Sequence, residues 1–140
     1  MPWAMAAHRP LAEPIATVAR PFVMVSTAVY SRIDAANPAA FSSAVLTDLL
    51  RRRLGFDGVV ISDDLGNARA VRSVPAGDRA VRFLAAGGTL VLTAEPSLVP
   101  PMIAAVLARD AADPAFAAAV NGAVRTALLA KARAGLLPAD

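Results

Sequence analysis

Three short apolar runs alternate with longer stretches of helical periodicity along this chain. The runs are FVMVSTAV at residues 22–29, GVVIS at 58–62 and TLVLT at 89–93. Each run is apolar at consecutive positions instead of at every second position, which is typical of strands covered on both faces in a parallel sheet. The pattern therefore predicts three strands of an α/β protein.

Helical spacing of apolar residues fills the intervals between and after these runs. The predicted helices span roughly residues 41–54, 78–86, 97–110 and 114–134. Ser42 or Ser43 can cap the first helix and Gly55 ends it, while Gly87 and Gly88 stop the second. This alternation of strands and helices fits a doubly wound sheet and a (β/α)8 barrel equally well.

Two carboxylates follow the most apolar strand directly, in the stretch GFDGVVISDDLGN from Gly55 to Asn67. An unpaired carboxylate is very costly to bury, so Asp63 and Asp64 must be paired, meet water or face a site. In both candidate architectures, sites form at the carboxyl ends of the strands. Three interpretations stay open from the spacing alone: an Asp that caps backbone N–H groups, an acidic metal site, or a catalytic carboxylate.

Other charged residues follow the first and third strands at the same edge of the predicted sheet. Arg32 can hold Asp34 or Asp63 in place or reach a substrate oxygen, although a weak exposed pair or a solvated charge is its more ordinary role. Glu95, before Pro96, more often starts a helix than contacts a ligand, because acids are favoured near a helix start.

Composition narrows the classes of partner. The chain has 140 residues, is 56% hydrophobic and contains no cysteine, which excludes disulfides and thiolate metal sites. No apolar run reaches the roughly 20 residues of a membrane span, and no signal peptide is visible, so we expect no membrane partner and a cytoplasmic location by default. The net charge is only +3. We interpret the cluster Arg51–Arg53 as a solvated helix end and expect no nucleic-acid partner.

A longer motif carries a resemblance to a known family. The segment GFDGVVISDDLG, with the preceding FSSAVLTDLLRRRLG and VMVSTAVYSRID, resembles the later part of the catalytic domain of family 3 glycoside hydrolases, most of all their β-N-acetylhexosaminidase branch. The resemblance implies a partial (β/α)8 barrel made of the last three β/α units and the C-terminal helices. Residues 21–140 would form this carboxyl-terminal portion of the barrel. Residues 1–20 would form an atypical leader that can include a helix remnant.

The resemblance also implies a chemistry. The first Asp of the Ser-Asp-Asp-Leu motif is the family's nucleophile, and Asp63 holds that position here. The implied reaction is retaining hydrolysis of O-glycosyl bonds in a glycoside containing N-acetylglucosamine, with neither a cofactor nor a metal. Arg32 and Asp64 remain weaker candidates for substrate binding.

The family's acid/base is a His on a Lys-His-Phe-Pro-Gly-His-Gly type loop, and this chain lacks that motif. Its only histidine, His8, lies in the proline-rich leader without matching context. Because a barrel takes about 250 residues and eight strands, we expect a truncated chain that is inactive alone and that self-associates through open sheet edges. The alternative is a non-catalytic relic, or an interaction module that pairs with a complementary half-barrel.

Overall fold

The computed structural model describes residues 22–138, which are built around a three-stranded parallel sheet. The strands lie in chain order: β1 (Val23–Val25), β2 (Val60–Asp64) and β3 (Leu90–Leu92). Residues 23–25 of β1 pair in register with 60–62 of β2. All three predicted strands are present and parallel, which confirms the α/β class.

Helices connect the strands and follow the last one. A π-helix spans Ala44–Arg53, and three α-helices follow: α1 (Ala76–Ala85), α2 (Val99–Ala112) and α3 (Pro114–Arg133). Short 3₁₀ turns lie at Ala39–Phe41, Arg69–Val71 and Pro96–Leu98. None of the described helices has the length and apolarity needed to span a bilayer.

Local signals in the sequence fix several of the observed helix ends. The Ser42 hydroxyl accepts a hydrogen bond from the backbone N–H of Val45 at 3.2 Å, so the predicted cap is made by Ser42. Gly55 adopts a φ of +67°, the left-handed conformation that lets a glycine end a helix. The side chain of Asp113 accepts hydrogen bonds from the first turn of α3, which is a common role of Asp at the start of a helix.

The first predicted helix differs from the expectation in its type. The N–H of Leu54 donates to the carbonyl of Leu49, five residues earlier, at 2.9 Å. Bonds of this spacing define a π-helix, an uncommon form that apolar spacing does not distinguish from an α-helix. The hydroxyl of Thr47 donates to the carbonyl of Ala86 at 2.9 Å, which ties this helix to the end of α1.

The arginine cluster at the end of the π-helix is only partly the solvated helix end that the pattern predicts. Arg52 and Arg53 are exposed, and Arg52 pairs with Asp48 at 2.9 Å. Arg51 is half-buried, and this burial lowers the pKa of its guanidinium. Its donors reach the carbonyl oxygens of Phe56, Gly58 and Gly87 and the hydroxyl of Thr89. The solvated interpretation is therefore wrong for Arg51, because nearby turns supply carbonyl acceptors that the periodicity does not reveal.

The helices cover one face of the sheet. Strand residues on that face pack into the core with Leu46, Leu65, Phe83 and Met102; they are Val23, Val25, Val60 and Val91. The alternate strand residues lie outside this core cluster, and among them Met24 is 66% and Leu92 41% exposed. The expectation of a sheet covered on both faces is therefore met on one face only, within the part of the chain that the structure describes.

Candidate functional site

The two carboxylates form the last two residues of β2, because this strand runs two residues further than its apolar run predicts. Asp64 pairs with Leu92 of β3, and the register between the two strands shifts between Ile61 and Asp64. Such a bulge adds one residue to a strand and re-aims the side chains around it. Both carboxylates thus stand at the carboxyl edge of the central strand.

The carboxylate of Asp64 accepts hydrogen bonds from backbone N–H groups. Its Oδ1 accepts hydrogen bonds from the N–H groups of Gly66 at 2.9 Å, Ala94 at 3.0 Å and Asn67 at 3.3 Å. The bond from Ala94 is the largest of the contributions that hold the pKa of the Asp64 carboxyl below its usual 3.8. Asp64 therefore joins the loop after β2 to the segment after β3, which is the backbone-capping role that the sequence analysis left open.

Asp63 differs from Asp64 in its hydrogen bonding. It is half-buried, and among the described residues its carboxylate accepts one hydrogen bond, from the N–H of Asp64 to Oδ1 at 2.7 Å. Burial alternates along β2: Val60 and Ser62 are buried on the helix side, whereas Ile61 between them is half-buried. This alternation carries Asp63 to the face that no described helix covers. A half-buried carboxylate at a strand end can act as a nucleophile or accept a proton through its oxygen lone pairs.

Ser62, next to the two carboxylates, links β2 to the adjacent strand β3 through its side chain. Its side chain is fully buried, and its Oγ accepts a hydrogen bond from the N–H of Leu92 at 2.8 Å. The bond bridges β2 and β3 at the bulge, where regular ladder pairing is interrupted. The edge that presents Asp63 is thus fixed by side chains as well as by the backbone ladder.

Glu95 and Asp34 stabilise the neighbouring loops. Glu95 accepts hydrogen bonds from the hydroxyl of Ser97 at 2.7 Å and from its N–H at 3.3 Å; these bonds lower the pKa of the carboxyl, while the charge of Asp64 nearby opposes the shift. This confirms Glu95 as the start of a helical turn. Asp34 accepts from the hydroxyl of Ser42 at 2.8 Å and from the side chain of Asn37, which lower its pKa in turn. Arg32 is exposed in the turn after β1.

Arg79 is the residue at this edge that the sequence analysis missed. It is only 8% exposed, on α1. Its guanidinium donates hydrogen bonds to four carbonyl oxygens of the loop after β2, those of Leu65, Gly66, Arg72 and Val74. The sequence does carry a signal: Arg79 lies four residues before Phe83, on the apolar side of the helix, where a charge needs a specific partner.

A metal site is not indicated by the described side chains. Within residues 22–138, no three His, Cys, Asp or Glu side chains come together in a way that could hold a metal ion. The one histidine, His8, lies outside the described residues, as does nearly all of the predicted leader.

Comparisons with known proteins identify the family of the chain. Residues 12–126 match the glycosyl hydrolase family 3 N-terminal domain. A β-hexosaminidase of Bordetella pertussis is 44% identical over 86 residues, which is 59% of this chain and 23% of that protein. The crystal structure of a β-N-acetylhexosaminidase from Beutenbergia cavernae superposes with a TM-score of 0.84 and 49% identity, covering 89% of this chain and 37% of that one.

A second solved structure, the β-N-acetylglucosaminidase from Thermotoga maritima, has a TM-score of 0.74 and 28% identity, and covers 84% of this chain and 26% of that one. The chain spans about a quarter of the length of the curated relatives it matches. The match to the family covers most of the chain, and the solved relatives share its fold. The chain therefore belongs to glycosyl hydrolase family 3, within the N-terminal domain of that family.

Proposed function

We propose that Asp63 is the nucleophile of a retaining glycoside hydrolysis of the β-N-acetylhexosaminidase type. The observation that carries the proposal is that two adjacent carboxylates accept different numbers of hydrogen bonds. Within residues 22–138, Asp64 accepts three backbone hydrogen bonds, whereas Asp63 accepts one. Asp63 is also the first Asp of the Ser-Asp-Asp-Leu motif, and it lies near the end of a central strand, which holds a reacting group more rigidly than a loop does.

The proposed reaction takes place in two steps. An oxygen of the Asp63 carboxylate attacks the anomeric carbon, and the bond from that carbon to the leaving oxygen breaks as an acid protonates this oxygen. A water molecule, deprotonated by the same group, then attacks the anomeric carbon and releases the sugar and the Asp63 carboxylate. The names of the relatives support a glycoside of N-acetylhexosamine, such as N-acetylglucosamine, as the substrate.

The weaker candidates take supporting roles in this proposal. The three backbone donors on Asp64 favour a structural role, in which it shapes the edge of the site without touching the sugar. Arg32 lies on the turn after β1, at the same carboxyl edge of the sheet, and is proposed as a contact for substrate oxygen atoms. Neither role requires a cofactor.

We propose that residues 21–140 form three consecutive β/α units of a (β/α)8 barrel. The strands are parallel and neighbours in chain order, and the helices cover one face of the sheet. Consecutive barrel units have this arrangement, with the uncovered face toward the barrel interior. Asp63 stands at the carboxyl edge, where barrel enzymes place their catalytic groups.

We further propose that the 140 residues provide the nucleophile side of the site and are inactive by themselves. Residues 22–138 contain no histidine, whereas the resemblance to the family implies a histidine as the acid/base. A general acid typically contributes 10²–10⁴-fold to the rate, so its absence would leave little turnover. The uncovered sheet face supports the second candidate function, an interaction module that pairs with a complementary half-barrel. Recovery of a soluble complex on co-production with such a half would support this module, and no gain in soluble assembly would remove it.

A chimera tests the nucleophile directly. Residues 22–138 replace the matched segment of the Beutenbergia cavernae protein, whose remaining chain supplies the other units of the barrel. We expect the chimera to hydrolyse an aryl N-acetyl-β-glucosaminide, and Asp63→Asn to lower kcat/KM by roughly 10³-fold or more, as loss of a nucleophile does in other enzymes.

Asp57→Asn is the matched control, because Asp57 is exposed in the turn before β2, at the opposite end of the strand. It should leave kcat/KM unchanged. In Asp63→Gly, added azide should restore turnover and give a glycosyl azide of inverted configuration, since azide replaces the missing carboxylate. Turnover of Asp63→Asn at the parent rate would end the assignment.

A further inference from the structure

We propose that Arg79 is a positioning residue for the carboxylate edge of β2. Its guanidinium fixes the loop of residues 65–74, keeps Asp64 bound to that loop and so leaves Asp63 as the carboxylate that faces the open side of the sheet. The catalytic meaning of this role rests on the proposed function of Asp63. The structural part of the role does not depend on that function.

The contacts of Arg79 bind the loop at both ends. Its Nη1 donates to the carbonyl oxygens of Leu65 at 2.8 Å and Gly66 at 2.9 Å, the two residues that directly follow Asp64. Its Nε donates to the carbonyl of Val74 at 2.7 Å, and its Nη2 to that of Arg72 at 3.3 Å, near the start of α1. One side chain therefore spans the loop that connects β2 to α1.

The chemistry of the position shows why a cation stands there. Arg79 lies beside Ala80 and four residues before Phe83, both of them buried core residues. An apolar side chain would fill such a place at less desolvation cost, because a buried charge is costly unless it is hydrogen-bonded. The acceptors of Arg79 are peptide carbonyls, and the planar fork of a guanidinium can serve several of them at once. The side chain thus organises backbone that would otherwise leave buried carbonyls without donors.

Gly66 links Arg79 to Asp64. Its carbonyl accepts from Arg79 while its N–H donates to Asp64, so one residue joins the two side chains. A Cβ at Gly66 would lie 2.3 Å from the hydroxyl of Thr93, which shows how closely the loop packs on the segment after β3. If Arg79 releases this loop, Asp64 loses two of its three donors, and two adjacent carboxylates then compete for the same space.

The first test uses the unmodified 140-residue chain. Proton exchange at the Arg79 guanidinium, followed by nuclear magnetic resonance, should be at least about tenfold slower than at Arg82, because Arg79 is buried and hydrogen-bonded and Arg82 is exposed on the same helix. Equal exchange at the two side chains would overturn the proposal without any variant.

The second test uses Arg79→Met and Arg79→Lys, with Arg82→Met as the control. We expect the amides of Gly66, Asn67 and Ala94 to exchange at least about tenfold faster in both Arg79 variants, since neither reproduces the guanidinium fork. The pKa of Asp64, followed through its carboxyl carbon, should rise toward 3.8, while amides of α3 and the Arg82→Met variant stay as in the parent. If Arg79→Met does not fold, Arg79→Lys decides. Unchanged loop exchange and Asp64 titration, or equally faster exchange at every amide, would refute a positioning role.

Kinetics separate this inference from the proposed function. In the chimera, Arg79→Lys should lower kcat by about tenfold or more with a smaller change in KM, because the substrate still binds while the nucleophile is misplaced. Full activity of Asp63→Asn would reject the nucleophile but leave the exchange and titration results standing. Normal kcat in Arg79→Lys, with Asp63→Asn inactive, would reject the catalytic meaning of Arg79 alone.

Discussion

At the residue scale, the site depends on how differently two neighbouring carboxylates are bound. Asp64 ties two loops together through backbone N–H groups, whereas Asp63 accepts a single local hydrogen bond from the part of the chain that the structure describes. Two aspartates in a row can therefore have different roles: one shapes the edge of the sheet, and the other is available for chemistry. This division sets distinct expectations for substitutions at each position.

Asp64→Asn should reduce the acid sensitivity of the fold. The pKa of Asp64 is lower in the folded chain, so its contribution to stability is complete above the ordinary value of 3.8 and is lost as the pH falls through the lower folded value. We expect the parent chain to exceed Asp64→Asn in free energy of unfolding at neutral pH, and this difference to shrink as the pH falls below about 4. Urea unfolding across this range, at a concentration below any association, measures it.

The exposed Asp48, replaced by Asn, provides the control for loss of one surface carboxylate. A difference between the parent and Asp64→Asn that stays constant from neutral to acid pH would show that the backbone bonds to Asp64 do not depend on its charge.

Gly66→Ala should destabilise the chain by about 1–3 kcal/mol, because the new methyl group meets the hydroxyl of Thr93 and a carboxylate oxygen of Asp64 in packed surroundings. Adding Thr93→Ala should recover part of that loss, which a double-mutant cycle on unfolding free energies detects. Gly122→Ala is the matched control: nothing lies within 4 Å of its added carbon, and it should be neutral or stabilising by up to about 1 kcal/mol. Equal effects at both glycines would contradict close packing at Gly66.

The sequence predicts some of these residue roles and hides others. Asp63 and Asp64 are visible because charges at the end of an apolar run demand an explanation. Which carboxylate binds the backbone depends in part on the N–H of Ala94, thirty positions after Asp64. No local pattern shows that contact. The place of Arg79 on the apolar side of its helix indicates a buried charge, but its partners stay hidden, since they are peptide carbonyls, which every residue possesses.

At the element scale, the predicted strands and helices are all present, and the differences come from hydrogen bonds between elements. The strand β2 extends through Asp64 because β3 offers it a partner in Leu92. The helix of residues 44–53 has π geometry, and side chains anchor it to the turn after α1. Periodicity gives the position of an element, whereas these contacts decide its ends and its type.

Arg51→Met should cost about 2 kcal/mol, because a charged donor to several carbonyls is lost and those carbonyls lose their partner. Arg53→Met, at an exposed position of the same helix end, should change the free energy of unfolding by less than about 0.5 kcal/mol. Chemical unfolding of the two variants measures the contrast. A small effect at Arg51 would mean that the arginine cluster is the solvated helix end that the sequence pattern predicts.

At the scale of the whole molecule, the helices of residues 22–138 cover one face of the sheet and leave its other face uncovered. Apolar side chains at Met24 and Leu92 stay exposed, and β1 and β3 are the outer strands of the described sheet. Exposed apolar strands with open edges favour pairing with another chain. The apolar runs of the sequence predict a sheet covered on both faces, and the length of the chain, too short for eight strands, predicts the open edges.

We expect sedimentation velocity to show concentration-dependent association of the 140-residue chain. Met24→Lys should weaken that association by roughly tenfold or more, because a charge on the uncovered face must be desolvated when the face is covered. Ile103→Lys, at a 54% exposed position of α2, is the control for a contact made through the helices. A monomer with a sharp two-state melt at every concentration would contradict the expectation, and so would weakening by Ile103→Lys alone.

The central claim is that Asp63 forms the covalent bond to the sugar, and the most direct measurement is to find that bond. The chimera is treated with a fluorinated N-acetylglucosaminide that forms the glycosyl-enzyme faster than water can release it, and its peptides are mapped by mass spectrometry. We expect one sugar on the peptide that contains Ser62-Asp63-Asp64, with the ester on Asp63, and no label in Asp63→Asn. A sugar attached to Asp64 or to another residue in an active chimera would contradict it.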